Sequence, residues 1–310
     1  MLQLINLTKK YGDFTAVDNI SFNVEDGEIF GLLGPNGAGK STTVSMISTV
    51  LPSTKGEIIV NNRSLRENPM DCKKIMGIVP QDLALYEALS AKDNLEFFGS
   101  LYGLYGKELK KRVEEVLEII QLKDKKDQDV CEFSGGMKRR VNIGVALMNN
   151  PKLLILDEPT VGIDPQSRNH ILETVKRLNK EKGMTVIYTS HYMEEVEYLC
   201  ERVGIVDHGK LIALGTKEEL KENLNACDTL TVSFSKASTE ALNKIKTLQG
   251  IEKTTLENNT ISMLVSPSKR NVIDIIDDLK NLGIKLSSFR YDEVNLESIF
   301  LQVTGKSLRD

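Results

Sequence analysis

A glycine-rich stretch near the start of the chain ends in a lysine and two hydroxyl side chains. It fits the pattern G-x-x-x-x-G-K-[ST] and reads Gly34-Pro35-Asn36-Gly37-Ala38-Gly39-Lys40-Ser41-Thr42. Glycines let the backbone approach an anion, and the N–H groups of the loop and of the following helix present partial positive charge. Lys40 would then reach the terminal phosphates of a nucleoside triphosphate, and the Ser41 hydroxyl would hold Mg²⁺. A glycine turn that matches by chance is the alternative, but an apolar run before the loop and a helical pattern after it favour the phosphate loop.

Two acidic residues end a second apolar run. Asp157 and Glu158 follow the run 153–156, which is typical of a buried strand in a parallel sheet. At the end of such a strand Asp157 can bind Mg²⁺, directly or through water, and Glu158 can polarise an attacking water. The alternative is that Asp157 only caps a following helix. The phosphate loop upstream favours the metal site.

Two further features could contribute to the same chemistry. Ser134-Gly135-Gly136 precedes a helical pattern, and a serine N-cap followed by two glycines offers bare N–H groups to an anion. Taken alone, the same residues could equally form a flexible turn. Tyr11 lies in the predicted loop between the first two strands, where it could stack on a purine or only pack against its neighbours.

The candidate residues are positioned by strands that alternate with helices. This alternation predicts an α/β domain with a largely parallel sheet. The phosphate loop at Gly34, Gln81, Asp157 and His191 each follow the end of a predicted strand. Because ligands bind at the carboxyl ends of such strands, we expect these residues to lie together.

Other parts of the chain have different patterns. The first 28 residues predict an antiparallel β subdomain, with Leu2, Leu4 and Asn6 on one face of its first strand. From 83 to about 149 the pattern is that of a helical subdomain. These parts complete a predicted nucleotide domain over 1–220.

Residues 221–310 form a second predicted domain. The predicted order is strand, helix, hairpin, helix and strand, which is the β-α-β-β-α-β order of a small ferredoxin-like α+β domain. A final helix is predicted at 295–303. A regulatory or dimer-stabilising role for this accessory domain is a hypothesis at this point.

Composition narrows the possible classes of protein. The chain has 310 residues, of which 40% are hydrophobic and 27% charged, with a net charge of −4. It can hold two domains, and nothing favours nucleic-acid binding. Its longest stretch without a charged residue, 41–54, is too short and too rich in Ser and Thr to span a bilayer. The N-terminus lacks the pattern of a secretory signal, and four dispersed cysteines predict neither disulfides nor zinc, which favours a reducing cytoplasm.

Taken in order, the motifs resemble those of the nucleotide-binding subunit of an ABC transporter. The resemblance covers about 1–220 and is carried by 34–42, Gln81, Ser134-Gly135-Gly136, 153–158, Gly162-Ile163-Asp164-Pro165 and His191. It implies a P-loop NTPase fold of the ABC type and a head-to-tail dimer, with a second copy or a close paralogue as partner. Each of two ATP molecules would lie between the phosphate loop of one subunit and the Ser-Gly-Gly turn of the other.

The resemblance implies a role for each residue around the chain's own phosphate loop. Tyr11 would stack on adenine, and residues 36–42 would wrap the phosphates. Gln81 would touch Mg²⁺ and the attacking water, and would report to the membrane partner. Glu158 would be the general base, and His191 would hold the γ-phosphate.

Other matched residues would act across the dimer. The resemblance implies that Ser134 and Gly136 contact the γ-phosphate held by the opposite subunit, and that Asp164 crosses the dimer interface. Met137 stands where the family usually has Gln. A methionine cannot make the hydrogen bonds of an amide, so contacts to the ribose at this point are in doubt.

As a whole, the resemblance implies an ATPase that works with separate integral membrane permease subunits, as a peripheral protein at the cytoplasmic face of the cell membrane. The stretch 295–305 resembles the tail of ATPases from exporters of drugs, peptide antibiotics, lipids or sodium, so export is expected. One alternative is a soluble ABC ATPase acting on ribosomes or DNA, but such proteins usually carry two nucleotide domains or a long coiled coil. A non-catalytic regulatory subunit is another alternative, and the presence of Glu158 and His191 argues against it.

Overall fold

The computed structural model describes residues 1–223, 227–245, 247–266 and 270–304. Among these residues the strands are β1 Leu2–Tyr11, β2 Phe14–Val24, β3 Ile29–Leu33, β4 Lys55–Val60, β5 Arg63–Ser64, β6 Met76–Val79, β7 Leu153–Asp157, β8 Thr185–Ser190, β9 Arg202–Asp207, β10 Lys210–Thr216, β11 Asp228–Lys236, β12 Ile251–Glu257, β13 Thr260–Val265 and β14 Lys285–Asp292. The α-helices are α1 Lys40–Ile47, α2 Pro69–Lys74, α3 Ala91–Leu101, α4 Gly106–Ile119, α5 Gly135–Leu147, α6 Pro165–Lys182, α7 Met193–Leu199, α8 Lys217–Asn223, α9 Thr239–Ile245, α10 Val272–Asn281 and α11 Leu296–Thr304.

The main sheet of the first compact unit has the strand order β10-β9-β3-β8-β7-β6. Strands β9, β3, β8, β7 and β6 run parallel to one another. Every residue of β3, β7 and β8 is buried, because helices and a second sheet cover both faces. This burial explains the unbroken apolar runs in the sequence. The predicted α/β class is confirmed.

An antiparallel sheet with the order β2-β1-β4-β5 accompanies the main sheet. Leu2 and Leu4 are buried as predicted, but Asn6 is exposed and Leu7 is buried instead. The register shifts between Leu4 and Leu7, and Asn6 has a φ of 48°. A β-bulge therefore turns the strand over at this point, and the prediction that Asn6 shares the face of Leu2 was wrong.

The two sheets of the first unit share one hydrophobic core. Phe22 of β2 stacks on Phe30 of β3 with their ring centroids 4.9 Å apart. Met46 and Ile47 of α1 are buried in the same cluster. This packing holds β3 and the last turn of α1 in one core, and the phosphate loop connects these two elements.

Three longer helices occupy the stretch that was predicted to be helical. Ser90 caps α3 by accepting a hydrogen bond from the N–H of Asp93. The apolar stripe of α4 is buried at Val113, Val116 and Leu117, which is the core packing expected of a one-sided stripe. The segment between β6 and α3 is not helical, and it carries Gln81.

The second compact unit begins at Gly215 and therefore includes α8. The boundary predicted from the sequence, after 220, falls inside this helix, and Lys221 on its far side forms an ion pair of 2.7 Å with the buried Asp228 of β11. The antiparallel sheet of the second unit has the strand order β12-β13-β11-β14, which is the ferredoxin-like arrangement that was predicted. Across the described residues of both units, no helix combines the length and the apolarity needed to cross a membrane.

Candidate functional site

A cavity of about 520 Å³ lies where the phosphate loop meets the carboxyl ends of β6, β7 and β8. It brings together most of the predicted site residues, and its lining consists of Tyr11, Phe14, Ala16, Asn36, Gly37, Ala38, Gly39, Lys40, Ser41, Thr42, Gln81, Glu158, Val161 and His191. Gly34, Pro35 and Asp157 are in direct contact with these residues through Lys40 and Ser41. Strand ends that are far apart in sequence thus converge on one concave surface, as expected for a parallel sheet.

The phosphate loop passes directly into α1. Gly39 precedes the helix with a φ of 105°, and a Cβ atom there would lie 2.6 Å from the carbonyl oxygen of Ala16. Only glycine can occupy this position without strain. The first turn of α1 reads Lys40-Ser41-Thr42-Thr43 and so carries no acidic side chain. The N-terminal N–H groups and the helix dipole therefore suit an anion bound in the loop.

Lys40 is held over the loop by three oxygen atoms. Its side chain is 4% exposed, and Nζ donates to the carbonyl oxygens of Gly34 and Pro35 at 2.8 and 3.2 Å. The same atom lies 3.1 Å from Oε1 of Glu158. The ammonium group is thereby fixed at the floor of the cavity, where it can meet negative charge without reorganising.

Asp157 and Ser41 form a pair of oxygen donors beside the loop. Ser41 Oγ donates to Asp157 Oδ1 at 3.3 Å, and Thr189 Oγ1 donates to the same oxygen at 2.7 Å. Burial raises the pKa of Asp157, while the hydrogen bonds from Thr189 and Ser41 act in the opposite direction. A hydroxyl and a carboxylate beside a phosphate loop are the ligands that Mg²⁺ prefers, so these residues fit that metal.

Glu158 lies between the two other candidate catalytic groups. Its Oε1 faces Lys40, and its Oε2 lies 3.3 Å from Nδ1 of His191. The backbone of Glu158 has a φ of 45°, which is unusual for a side chain of this size. Two contacts hold it there, because its N–H donates to the backbone oxygen of Thr189 at 3.2 Å and to the Thr189 hydroxyl at 2.9 Å. Backbone strain of this kind is found at functional sites that the surrounding fold supports.

A second cluster of predicted residues lies where α5 and α6 begin. Ser134 caps α5 by accepting from the N–H of Met137 at 3.3 Å, and Asp164 caps α6 by accepting from the N–H of Ser167 at 2.9 Å. The hydrogen bonds from Ser167 hold the pKa of Asp164 below its usual value. Gly136 is buried against Ser167, so the two helix N-termini touch. Ser134, Gly135 and Asp164 are exposed.

These two sets of residues do not share one cavity. Over the described residues, the lining around the phosphate loop does not include Ser134, Gly135, Gly136 or Asp164. The chain therefore presents two separate surfaces, one with Lys40 and the acidic residues, and one with the N-termini of α5 and α6.

Comparisons with known proteins give the family. Residues 17–161 match the family model described as "ABC transporter". The chain is 49% identical to the linearmycin resistance ATP-binding protein LnrL of Bacillus subtilis, and the match covers 100% of both. It is 36% identical to the Nod factor export ATP-binding protein I of Cupriavidus metallidurans, over 100% of this chain and 99% of the relative. This chain belongs to the ABC transporter ATP-binding proteins.

A solved structure agrees with this assignment. This chain is similar to the ATP-binding cassette MJ0796 in its dimeric post-hydrolysis state bound to ADP and Pi, with a TM-score of 0.63 and 30% sequence identity. The match covers 70% of this chain and 98% of that cassette. The chain is thus an ATP-hydrolysing ABC subunit, as the motifs predicted. The comparisons do not favour the alternative of an ATPase acting on ribosomes or DNA.

Some residues of the ABC ATPase site escaped prediction from sequence. Arg139 of α5 is 5% exposed and donates to the carbonyl oxygens of Pro80 and Gln81 at 2.8 and 2.7 Å. It fixes the backbone at Gln81, which has just left β6. The signal that could have revealed it is helical spacing, because Arg139 lies three residues after the buried Gly136 and shares its face.

The aromatic residues at the mouth of the cavity also differ from the prediction. Tyr11 is the last residue of β1, not part of a loop, and its partner across the strand pair is Phe14. Both side chains are exposed, at 47% and 65%. Lys9 Nζ lies 5.1 Å from the centroid of the Tyr11 ring. Phe14 gave no motif signal, since it becomes part of the site only through strand pairing.

Proposed function

We propose that this ABC ATPase forms a head-to-tail dimer, with a second copy or a close paralogue, and that the dimer drives export through separate membrane subunits. The observation that carries the proposal is the separation of the two surfaces. The phosphate loop, Glu158 and His191 form one surface, whereas Ser134 and Asp164 are exposed on another. A head-to-tail pair brings the second surface of one subunit onto the first surface of the other, which completes two nucleotide sites.

The residues of the cavity suit hydrolysis of ATP by positioning and charge neutralisation. The carboxylate of Glu158 accepts a proton from the attacking water, and His191 donates a hydrogen bond toward the γ-phosphate. Lys40 neutralises charge on the terminal phosphates. Ser41 and Asp157, with Gln81 beside them, would hold Mg²⁺, which supplies further charge neutralisation at the phosphates when bound.

The base of the nucleotide has an aromatic surface available at the mouth of the cavity. Tyr11 supplies a ring on which adenine can stack, and Phe14 lies next to it on the neighbouring strand. Stacking on an aromatic face binds a base without reading its edge. Selection of ATP over other triphosphates is therefore expected to be modest.

A patch of exposed aromatic and aliphatic side chains supports docking of a membrane subunit. Tyr86, Phe97, Leu101, Tyr102 and Tyr105 are all exposed, at 38% to 69%. Tyr86 and Phe97 pack edge to face with their centroids 5.0 Å apart. Patches of this kind mark protein interfaces, and this one lies beside the segment that carries Gln81. We infer that a permease subunit covers it, which places the ATPase at the cytoplasmic face of the membrane.

The names of two relatives support a class of cargo. One is a linearmycin resistance protein, and the other is a Nod factor export protein. We infer that the cargo is a drug, antibiotic, peptide or lipid that leaves the cell. Recovery of a polytopic membrane protein with the ATPase from detergent extracts supports this proposal, and recovery with ribosomes alone contradicts it.

The catalytic assignment is tested by Glu158→Gln. The substitution keeps the shape of the side chain and removes its basicity, so hydrolysis should fall by roughly 10²- to 10⁴-fold while ATP still binds. ATP should also hold the variant as a dimer in gel filtration, because hydrolysis no longer opens it. Glu194→Gln is the matched control, since Glu194 is exposed and lies three residues after His191. A near-normal rate for Glu158→Gln removes Glu158 as the base.

A further inference from the structure

A buried carboxylate that is not part of the cavity lies behind it. Glu195 of α7 is 2% exposed. Its Oε2 accepts hydrogen bonds from Thr160 Oγ1 at 2.8 Å, Tyr188 Oη at 2.9 Å and Ser190 Oγ at 3.0 Å. Its Oε1 lies 3.3 Å from Nε of Arg168. The carboxylate of Glu195 thus contacts side chains from three parts of the chain: the segment after β7, strand β8 and helix α6.

Two of the residues that donate to Glu195 are close neighbours in sequence of Glu158 and His191. Thr160 follows Glu158 by two residues, and Ser190 immediately precedes His191. Both hydroxyl groups donate to the same oxygen of Glu195. The segments that carry the two groups facing each other at 3.3 Å, Glu158 and His191, are therefore anchored at one point.

The segment around His191 is held from its other side as well. Ser190 Oγ accepts a hydrogen bond from the N–H of Tyr192 at 2.9 Å, which folds the backbone around His191. The Tyr192 ring lies 4.2 Å from the His191 ring, centroid to centroid. The guanidinium group of Arg168 also packs on the Tyr192 ring, since its Cζ lies 4.7 Å from the ring centroid. Glu195 thus acts on His191 through Ser190 and also through Arg168.

Arg168 extends this cluster to the surface proposed to face the partner. It lies in the first turn of α6, and its backbone N–H donates to the carbonyl oxygen of Asp164 at 2.9 Å. A displacement at the start of α6 is therefore transmitted to the guanidinium group that faces Glu195. The buried charge of Glu195 is compensated by Arg168 and by the three hydroxyl donors, so loss of the charge would release all of these groups together.

We propose that Glu195 is a positioning residue for ATP hydrolysis, which fixes the separation of Glu158 and His191 and links it to the start of α6. This inference rests on the proposed roles of Glu158 and His191. Glu195 itself is not among the described residues that line the cavity around the phosphate loop. It should therefore affect the chemical step and leave nucleotide binding nearly unchanged.

Glu195→Gln tests this proposal. Glutamine has the same size, but its amide N–H₂ must face either the three hydroxyl groups or Arg168, so one set of contacts is lost. Because displacements of about 1 Å can cost about 10²-fold in rate, we expect kcat to fall by roughly 10- to 100-fold. The dissociation constant for ATP should change by less than about threefold, since Lys40 and the loop are untouched. Glu194→Gln, on the exposed side of the same helix, should leave both quantities unchanged.

A double-variant cycle separates positioning from a general effect on folding. In the Glu158→Gln background the catalytic carboxylate is absent, so Glu195→Gln should slow single-turnover hydrolysis much less than in the wild type. An equal fall in both backgrounds overturns the proposal, and so does a loss of ATP affinity as large as the loss of kcat.

Thr160→Val and Ser190→Ala each remove one hydrogen-bond donor to Glu195. They provide the same test if Glu195→Gln does not fold. A near-normal rate for Glu158→Gln contradicts the proposed function, whereas a near-normal rate for Glu195→Gln contradicts only this inference.

Discussion

The contact between the N-termini of α5 and α6 leaves no room for a side chain at Gly136. A Cβ atom added there would lie 2.3 Å from Ser167 Cβ and 2.1 Å from Ser167 Oγ. Since non-bonded carbon atoms pack at about 3.5 Å, Gly136→Ala requires the two helix ends to separate by about 1 Å. Gly135→Ala is the matched control for stability, because its Cβ would meet only the Ile163 side chain at 3.7 Å.

The expected effect on stability follows from this difference. Both substitutions gain a similar helix propensity, so their difference isolates the overpacking cost of about 1–3 kcal/mol. For a unit of this size about 1 kcal/mol shifts Tm by roughly 2–4 °C, so Gly136→Ala should melt about 2–12 °C below Gly135→Ala. The measurement is thermal unfolding of each variant without nucleotide.

The same displacement should affect catalysis. We expect ATP to bind Gly136→Ala normally, because the cavity around Lys40 is not touched. Hydrolysis should fall by roughly 10²-fold, since a shift of about 1 Å in Ser134 or Asp164 misplaces the surface proposed to complete the partner's site. Adding Ser167→Gly removes both contacting atoms and should restore most of the rate. Equal melting temperatures for the two alanine variants, or no rescue by Ser167→Gly, would refute the reasoning.

Two further predictions concern titration and the second unit. Burial and two neighbouring arginines lower the pKa of His170 below 6.5, so its contribution to stability is fully present above pH 6.5 and is lost as pH falls from there through the lower pKa of the folded state. His170→Gln should therefore weaken the fall in Tm between about pH 7.5 and about pH 5.5, and an unchanged fall would contradict this explanation. Asp228→Asn breaks a buried ion pair and should cost the second unit about 3 kcal/mol, measured by hydrogen exchange. Asp277→Asn, in an exposed pair, should cost less than about 1 kcal/mol, and equal costs would contradict this explanation.

Secondary structure was predictable where the conformational preferences of neighbouring residues were enough to determine it. The hairpin of β12 and β13 was predicted, because Asn258-Asn259 forms a turn between two runs of strand-forming residues. The exposure of Asn6 could not be predicted in this way. A bulge in the middle of β1 arises from pairing with β2 and β4, and no pattern within the strand indicates it.

Candidate site residues could be identified from the sequence where the proposed chemistry requires a fixed spacing along the chain. The phosphate loop, Asp157 and Glu158 each form such a local pattern. Arg139 and Thr189 do not, because Arg139 acts on Gln81 58 residues away and Thr189 acts on Asp157 32 residues away. Their importance comes from contacts that only the folded sheet and helices create. Helical spacing from Gly136 places Arg139 on the buried face of α5, but it does not indicate which residue Arg139 contacts, and Thr189 has no such signal.

Two connections join the exposed start of α5 and α6 to the chain's own nucleotide site. From α5, Arg139 holds the backbone of Gln81. From α6, Arg168 leads to Glu195 and from there to the segment around His191. Because a partner proposed to bind at these helix ends would displace both helices together, it would act on two sides of the cavity at once. In the proposed dimer, these two connections let binding of the second chain act on hydrolysis in the first.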